Sequence, residues 1–164
     1  MNKTEVLIRP IAPRDNRELA VLIRSVLKEF GVPKTGTTYA DKELDYMYEA
    51  FSITGATYFV AEADKQILGG AGVIHLKDEV SDICELQKMD VLKSARGMGI
   101  GSKLLKKCLQ SATILGYKRC YLESMSNMSA SQELYSRNGF RFLDHRMGAT
   151  GHYVCPIWMI KELD

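Results

Sequence analysis

Apolar residues recur along this chain with two periods, and the switches between them mark out its elements. Residues 5–9 alternate as a half-buried strand does. Leu19, Leu22, Ile23, Val26, Leu27 and Phe30 then repeat at helical spacing, which predicts a helix over 15–30 ended by Gly31 and Pro33. A second, short helix is predicted over 41–51, with Leu44, Met47, Tyr48 and Phe51 on one side and a loop before it. Residues 56–63 and 66–76 read as strands, and the tight turn at Asp64 and Lys65 predicts an antiparallel hairpin. Gly69, Gly70 and Gly72 in its second strand point to a bulge or a close backbone contact. A strand is predicted over 83–91. Ile100, Leu104, Leu105, Cys108, Leu109, Ala112 and Leu115 make the stripe of a helix over 99–115, with Gly116 at its C-cap. A strand over 118–125 follows, then a helix over 129–137 with Ser129 and Gln132 as a capping box. The last strands are predicted over 140–143 and 153–160.

The order is β-α-α-β-β-β-α-β-α-β-β, a hairpin-rich chain with one βαβ unit. It implies an α/β protein of the α+β type: a mixed, mostly antiparallel sheet of about seven strands flanked by four helices. A doubly wound sheet would need helix and strand to alternate throughout. The 164 residues suit one domain over 1–164, and no linker or repeat divides them. Their composition, 46% hydrophobic with 26% charged, argues against disorder. Lys+Arg 22 against Asp+Glu 20 leaves +2, too little to name a nucleic-acid partner. No apolar run reaches membrane-spanning length and no signal peptide opens the chain, so no membrane association and a cytoplasmic location are expected. Cys84, Cys108, Cys120 and Cys155 lie far apart and are expected to be buried, reduced thiols.

The segment 91–103, VLKSARGMGIGSK, carries the most chemistry. Gly97, Gly99 and Gly101 follow Arg96 where a strand gives way to a helix. Glycine admits positive φ and close approach of a ligand to the backbone, and a helix start offers unpaired N–H groups and a positive dipole end. Together these make an anion site suited to a pyrophosphate. Ser102 stands between Gly101 and Lys103, which breaks the spacing of a Walker loop; it also occupies the third-glycine place of a dinucleotide fingerprint.

Arg96-Gly97-Met98-Gly99-Ile100-Gly101 resembles the (Q/R)-x-x-G-x-(G/A) motif of the GCN5-related N-acetyltransferases. Residues 85–91 resemble that family's fourth strand, and Asn127, Ala130, Leu134, Tyr135, Gly139 and Phe140 resemble its later N-x-x-A-x-x-x-Y-x-x-x-G-F pattern. Lys93 stands where the family's usual proline would fall. The resemblance implies a GNAT-like fold, acetyl-coenzyme A as cosubstrate and transfer of its acetyl group to a primary amine, on a small molecule or a protein. The alternative is a non-catalytic acyl-coenzyme A sensor of the same fold.

By the same resemblance the strands over 85–91 and 119–125 splay apart to admit the pantetheine arm. Backbone groups of Met89, Asp90 and Val91 would bind that arm, and Arg96, Gly97, Met98, Gly99, Ile100, Gly101 and Ser102 the pyrophosphate. Asn127 would contact the coenzyme, or else cap a helix. Tyr135 would be the general acid at the sulfur, or else a core tyrosine. Glu85, preferred to Glu123, would be the base, although either could instead face solvent. His152 and Cys155 are too few for a structural zinc, so no metal is expected; they are placed in the acceptor pocket or in the last strand. Asp41, Glu43, Asp45 and Glu49 either favour a cationic acceptor or form a solvated helix face. A homodimer is possible, as the family often dimerises.

Overall fold

The computed structural model describes residues 4–164. Its strands are β1 (Leu7–Pro10), β2 (Thr57–Ala63), β3 (Gln66–His75), β4 (Ile83–Val91), β5 (Arg119–Ser124), β6 (Arg141–Phe142) and β7 (Ile157–Glu162). They form a single seven-stranded sheet in the order β1-β2-β3-β4-β5-β7-β6. All neighbours run antiparallel except β4 and β5, which are parallel and joined by a helix. The helices are α1 (Asn16–Glu29), α2 (Met47–Ala50), α3 (Ile100–Ile114) and α4 (Ser129–Arg137).

Both faces of the sheet are covered, and the two-residue period of a strand divides the core accordingly. In β2, Tyr58 and Val60 turn to one face and pack with Leu19, Ile23, Leu44 and Met47 from α1 and the segment around α2. Phe59 and Ala61 turn to the other and pack with Ile100, Leu104, Leu105 and Cys108 of α3. This double burial explains why β2 reads as an apolar run. All four cysteines are free and buried. At the β1 edge, Arg9 holds Asp15 at 2.7 Å and Glu62 at 2.5 Å, and Asp15 also accepts the Ala12 N–H at 2.7 Å, which fixes the entry to α1.

The glycines of β3 serve a close approach. A Cβ on Gly70 or Gly72 would lie 2.7 or 2.4 Å from the ring of Tyr58, and one on Gly69 would lie 2.7 Å from the Asp90 carbonyl. Opposite them β4 bulges. The register passes from Gly70↔Asp90 to Gly72↔Gln87, so Lys88 and Met89 together oppose Ala71. Lys88 has φ 51°, and its carbonyl accepts the buried Tyr58 hydroxyl at 2.7 Å. Past the bulge, β4 leaves β5. Their pairing covers only Ile83↔Arg119 to Glu85↔Tyr121, so a wedge opens between the later halves of the two strands.

The outcome departs from the sequence pattern in four places. The helix expected over 41–51 is broken into a 3-10 turn (Lys42–Asp45) and the single turn of α2, with Tyr46 between them at φ −136°. Tertiary bonds win there: Asp45 is drawn to Arg24, and the Tyr48 N–H donates to the Asn16 side chain. The last strand starts at Ile157 rather than 153, because the 152–155 stretch turns back on itself through Cys155 N–H to His152 O, and Val154 N–H donates to Gly36 O. The Ser129–Gln132 capping box does not form; Gln132 donates instead to the Met125 carbonyl at 2.8 Å. Leu115, the last member of the α3 stripe, is exposed.

Candidate active site

Two connected depressions meet at the wedge. The outer one, a groove of about 390 Å³, is lined by Met89, Asp90, Val91, Arg96, Gly97, Gly99, Ile100, Gly101 and Ser102, with Ala130, Ser131, Leu134 and Arg137 of α4 opposite. Gly97 and Gly99 have φ 81° and 76°, and a Cβ on either would meet no atom of the chain; conformation, not space, demands glycine. Gly99 is the N-cap of α3, and its carbonyl accepts the Lys103 N–H. The amides of Ile100, Gly101 and Ser102 are therefore among the orphan donors of the helix start, at its positive end. No acidic side chain occupies that first turn. The site is suited to phosphate oxygens.

Arg96 lines this groove with its guanidinium already engaged. It chelates Glu29 at 2.7 and 2.8 Å, donates from Nε to the Val91 carbonyl and stacks over Phe30. It ties the loop to the end of α1. Met98 is exposed and does not line the groove. Asn127 also lies outside the wall, donating to the Phe30 carbonyl at 2.7 Å.

The inner depression, about 80 Å³, fills the wedge itself. One wall is Leu86, Lys88, Met89 and Asp90 of β4; the other is Leu122, Glu123 and Ser124 of β5; Tyr135, Cys155 and the Thr37–Thr38 segment are among the other lining residues. Tyr135 is buried, tilted against Phe140, and burial together with Asp90 pushes its hydroxyl pKa well up, so it stays protonated. Burial also pushes the Asp90 carboxyl up to about 7.

Behind the Glu123 wall lies a cluster of ionisable groups. Glu85 is buried, accepts the Gln87 amide at 2.9 Å and is pushed up to about 7, by burial first. Glu123 accepts the Tyr121 hydroxyl at 3.1 Å and that of Thr150. Donor atoms of Glu85, Glu123 and His152 all lie within 4.8 Å of one another. His152 Nε2 is 2.9 Å from Asp41, which in turn lies 3.0 Å from the buried Lys88 ammonium. Burial disfavours charge on the ring, but Asp41 outweighs it and His152 stands above the ordinary histidine value. Three such donors could also hold a divalent ion, but a metal-bound histidine must be neutral.

A family model described as an acetyltransferase (GNAT) domain matches residues 54–142, which span β2 to β6 and include the glycine-lined helix start and both strands of the wedge. The chain belongs to the GNAT family of acetyltransferases. An N-acetyltransferase of Escherichia coli K12, uncharacterised and called YjgM, is 39% identical over 96% of this chain and 95% of its own length. Human N-acetylaspartate synthetase is 32% identical over 81% of this chain, which spans only 41% of that longer protein. The PaiA N-acetyltransferase of Thermoplasma acidophilum, solved with coenzyme A, shares the fold at 19% identity. It covers 96% of this chain and 99% of its own, with a TM-score of 0.75. The protein is thus an acyltransferase with the seven-stranded GNAT fold.

For this acetyltransferase the structure brings together most of the residues singled out in the sequence. Met89, Asp90, Val91, Arg96, Gly97, Gly99, Ile100, Gly101 and Ser102 share one groove, and Tyr135 stands in the wedge that continues it. Glu85 is buried and Glu123 half-buried, with carboxylate oxygens of the two within 4.8 Å of one another. Asn127 and Met98 stand apart. His152 joins the carboxylates from a loop, while Cys155 lines the wedge. Lys88 gives no signal in the sequence, since its place depends on the bulge. Asp41 does carry one, as part of an acidic run, but only the break after it shows which way that carboxylate turns. Among the described residues no helix is long and apolar enough to cross a membrane.

Proposed function

We propose that residues 1–164 act as one domain that transfers the acetyl group of acetyl-coenzyme A to a primary amine, by direct attack within a ternary complex. The observation that carries this reading is the continuity of the glycine-lined helix start with the β4–β5 wedge, because an extended thioester laid along both would bring its reactive end to Tyr135 and Glu123. The amides of Ile100, Gly101 and Ser102 hold the pyrophosphate, with Gly97 and Gly99 giving the loop its concave course. The β4 backbone beyond Glu85, released from β5, binds the pantetheine amides and supplies an N–H to polarise the thioester carbonyl. Arg96 acts indirectly, by bracing the loop on Glu29.

An incoming ammonium must lose a proton before its nitrogen can attack. Glu85 takes that proton through a water, and its pKa of about 7 lets it both accept and release protons at neutral pH. Glu123 holds the charge of the amine. Tyr135, kept protonated by burial, gives its proton to the departing thiolate and regains one from solvent or product.

The test is a panel of small amines, amino acids and peptides incubated with acetyl-coenzyme A, with free thiol and N-acetyl product both measured. The reading predicts thiol release that depends on one class of primary amine and yields its amide in equal amount. Tight coenzyme binding with no amide formed from any amine would replace the transferase with a binding module.

A further inference from the structure

We propose that His152, clamped by Asp41, is a positioning residue that stays protonated and thereby holds Glu85 as a carboxylate ready to receive the acceptor's proton. This rests on the transferase reading above. The geometry is a line of alternating charge drawn from four parts of the chain. Asp41 comes from the segment before the 3-10 turn, Lys88 and Glu85 from β4, Glu123 from β5 and His152 from the loop before β7. Both carboxylate oxygens of Asp41 lie within 3.0 Å of His152 Nε2, and a ring nitrogen of His152 lies within 4.8 Å of a carboxylate oxygen of each glutamate.

The charges that face the ring explain why it is needed. Glu85, Glu123 and Asp41 bring three carboxylates to the ring, and Glu43 a fourth beyond Lys88, against Lys88 and a protonated His152. Lys88 cannot serve both ends of the cluster, because its ammonium is committed to Asp41, to Glu43 at 3.6 Å and to the Gln87 side chain at 3.2 Å. With a neutral ring in place of the cation, Glu85 and Glu123 would lose the positive charge nearest to them. Glu85, the more buried glutamate, would take up a proton and cease to be a base. Cys155 lies nearby, but its thiol is pushed up to about 11, by burial first, and contributes no charge. Arg146 is engaged with the Tyr153 carbonyl and the face of Trp158.

The experiment follows the Glu85 carboxyl carbon by NMR in protein labelled at glutamate side chains, without acceptor, from pH 4 to 9. Glu85→Gln assigns the signal. In His152→Gln the Glu85 titration should move up by about one to two pH units, the size expected on removing a facing unit charge. In Asp41→Asn, which keeps the ring but lifts its clamp, it should move the same way by less. His152→Lys, which restores a cation, should bring it back toward the wild-type position. The acidic limb of kcat/KM should shift with the carboxyl, whereas a merely structural role would lower kcat/KM evenly across pH. An unmoved Glu85 titration in both His152→Gln and Asp41→Asn overturns the proposal, and Asp41→Asn carries the test if the first variant does not fold. Activity abolished by a chelator and restored by a divalent ion also overturns it, since the ring would then be a neutral ligand. The NMR arm needs no acceptor, so a wild-type protein that acetylates nothing would sink the transferase reading while leaving this inference separately readable.

Discussion

Replacing Glu85 with Gln should abolish most of the activity and, at the same time, stabilise the protein. The carboxyl is buried and titrates at about 7 instead of 4.5, with burial as the main cause. The folded state therefore holds a proton there more tightly than the unfolded chain does. Stability from this group is fully present below pH 4.5 and is lost as pH rises through about 7. The loss integrates to about 3 kcal/mol at pH 8, since each pH unit between the unfolded and folded values is worth about 1.4 kcal/mol. Glutamine keeps the shape and can still accept the Gln87 amide, but never charges. Urea melts of both proteins at pH 4 and pH 8 read the difference. The two should nearly coincide at pH 4, whereas at pH 8 the variant's midpoint should lie about 1–2 M higher. A variant no more stable at pH 8 than the wild type would refute the claim that Glu85 is held in a site costly for its charge.

The β4 bulge should depend on Tyr58. Tyr58→Phe leaves the buried Lys88 carbonyl without its donor and should cost about 1–3 kcal/mol, read as a melting temperature lower by about 2–12 °C; an unchanged melt would show that the hydroxyl does not pin the bulge. Asp15→Asn removes the carboxylate between Arg9 and the Ala12 N–H, at a cost of about 2–4 kcal/mol at pH 7. Although burial opposes it, Arg9 holds the Asp15 pKa below 3.8, so this stability is present above that value and fades as pH falls through the folded pKa. Melts at pH 7 and pH 2.5 should show the gap narrowing in acid, and a gap independent of pH would contradict the ion-pair account. Gly99→Val forces a β-branched residue to φ 76° and should weaken coenzyme A binding about tenfold or more by calorimetry, with the α3 core intact. Unchanged affinity would remove the loop from the site.

Local periodicity made much of this fold legible. The closing Asn-Gly marks the end of α4, the expected strand over 83–91 coincides with β4, and the Asp64-Lys65 turn is a two-residue hairpin with both φ positive. The glycine run in β3 signals close packing, and the structure shows the ring of Tyr58 that requires it. Strand order is not legible in this way. β7 inserts between β5 and β6, a pairing set by contacts remote in sequence. The same limit applies to the site. The loop before α3 announces itself because anion binding at a helix start is a local device. The Asp41–His152 contact spans 111 residues, and the break after Asp41 that permits it runs against a good helical pattern. Arg96 illustrates the reverse case: its motif position is plain, but its partner Glu29 is 67 residues away.

Acetyl transfer in the wedge is the central claim, and the most direct measurement is amine-dependent release of free coenzyme A by wild-type protein and by Tyr135→Phe, with acetyl-coenzyme A affinity measured on both. Release by the wild type should fall by about 10²-fold or more in the variant, the scale of a lost general acid, while affinity changes little. Equal rates in the two proteins would contradict it.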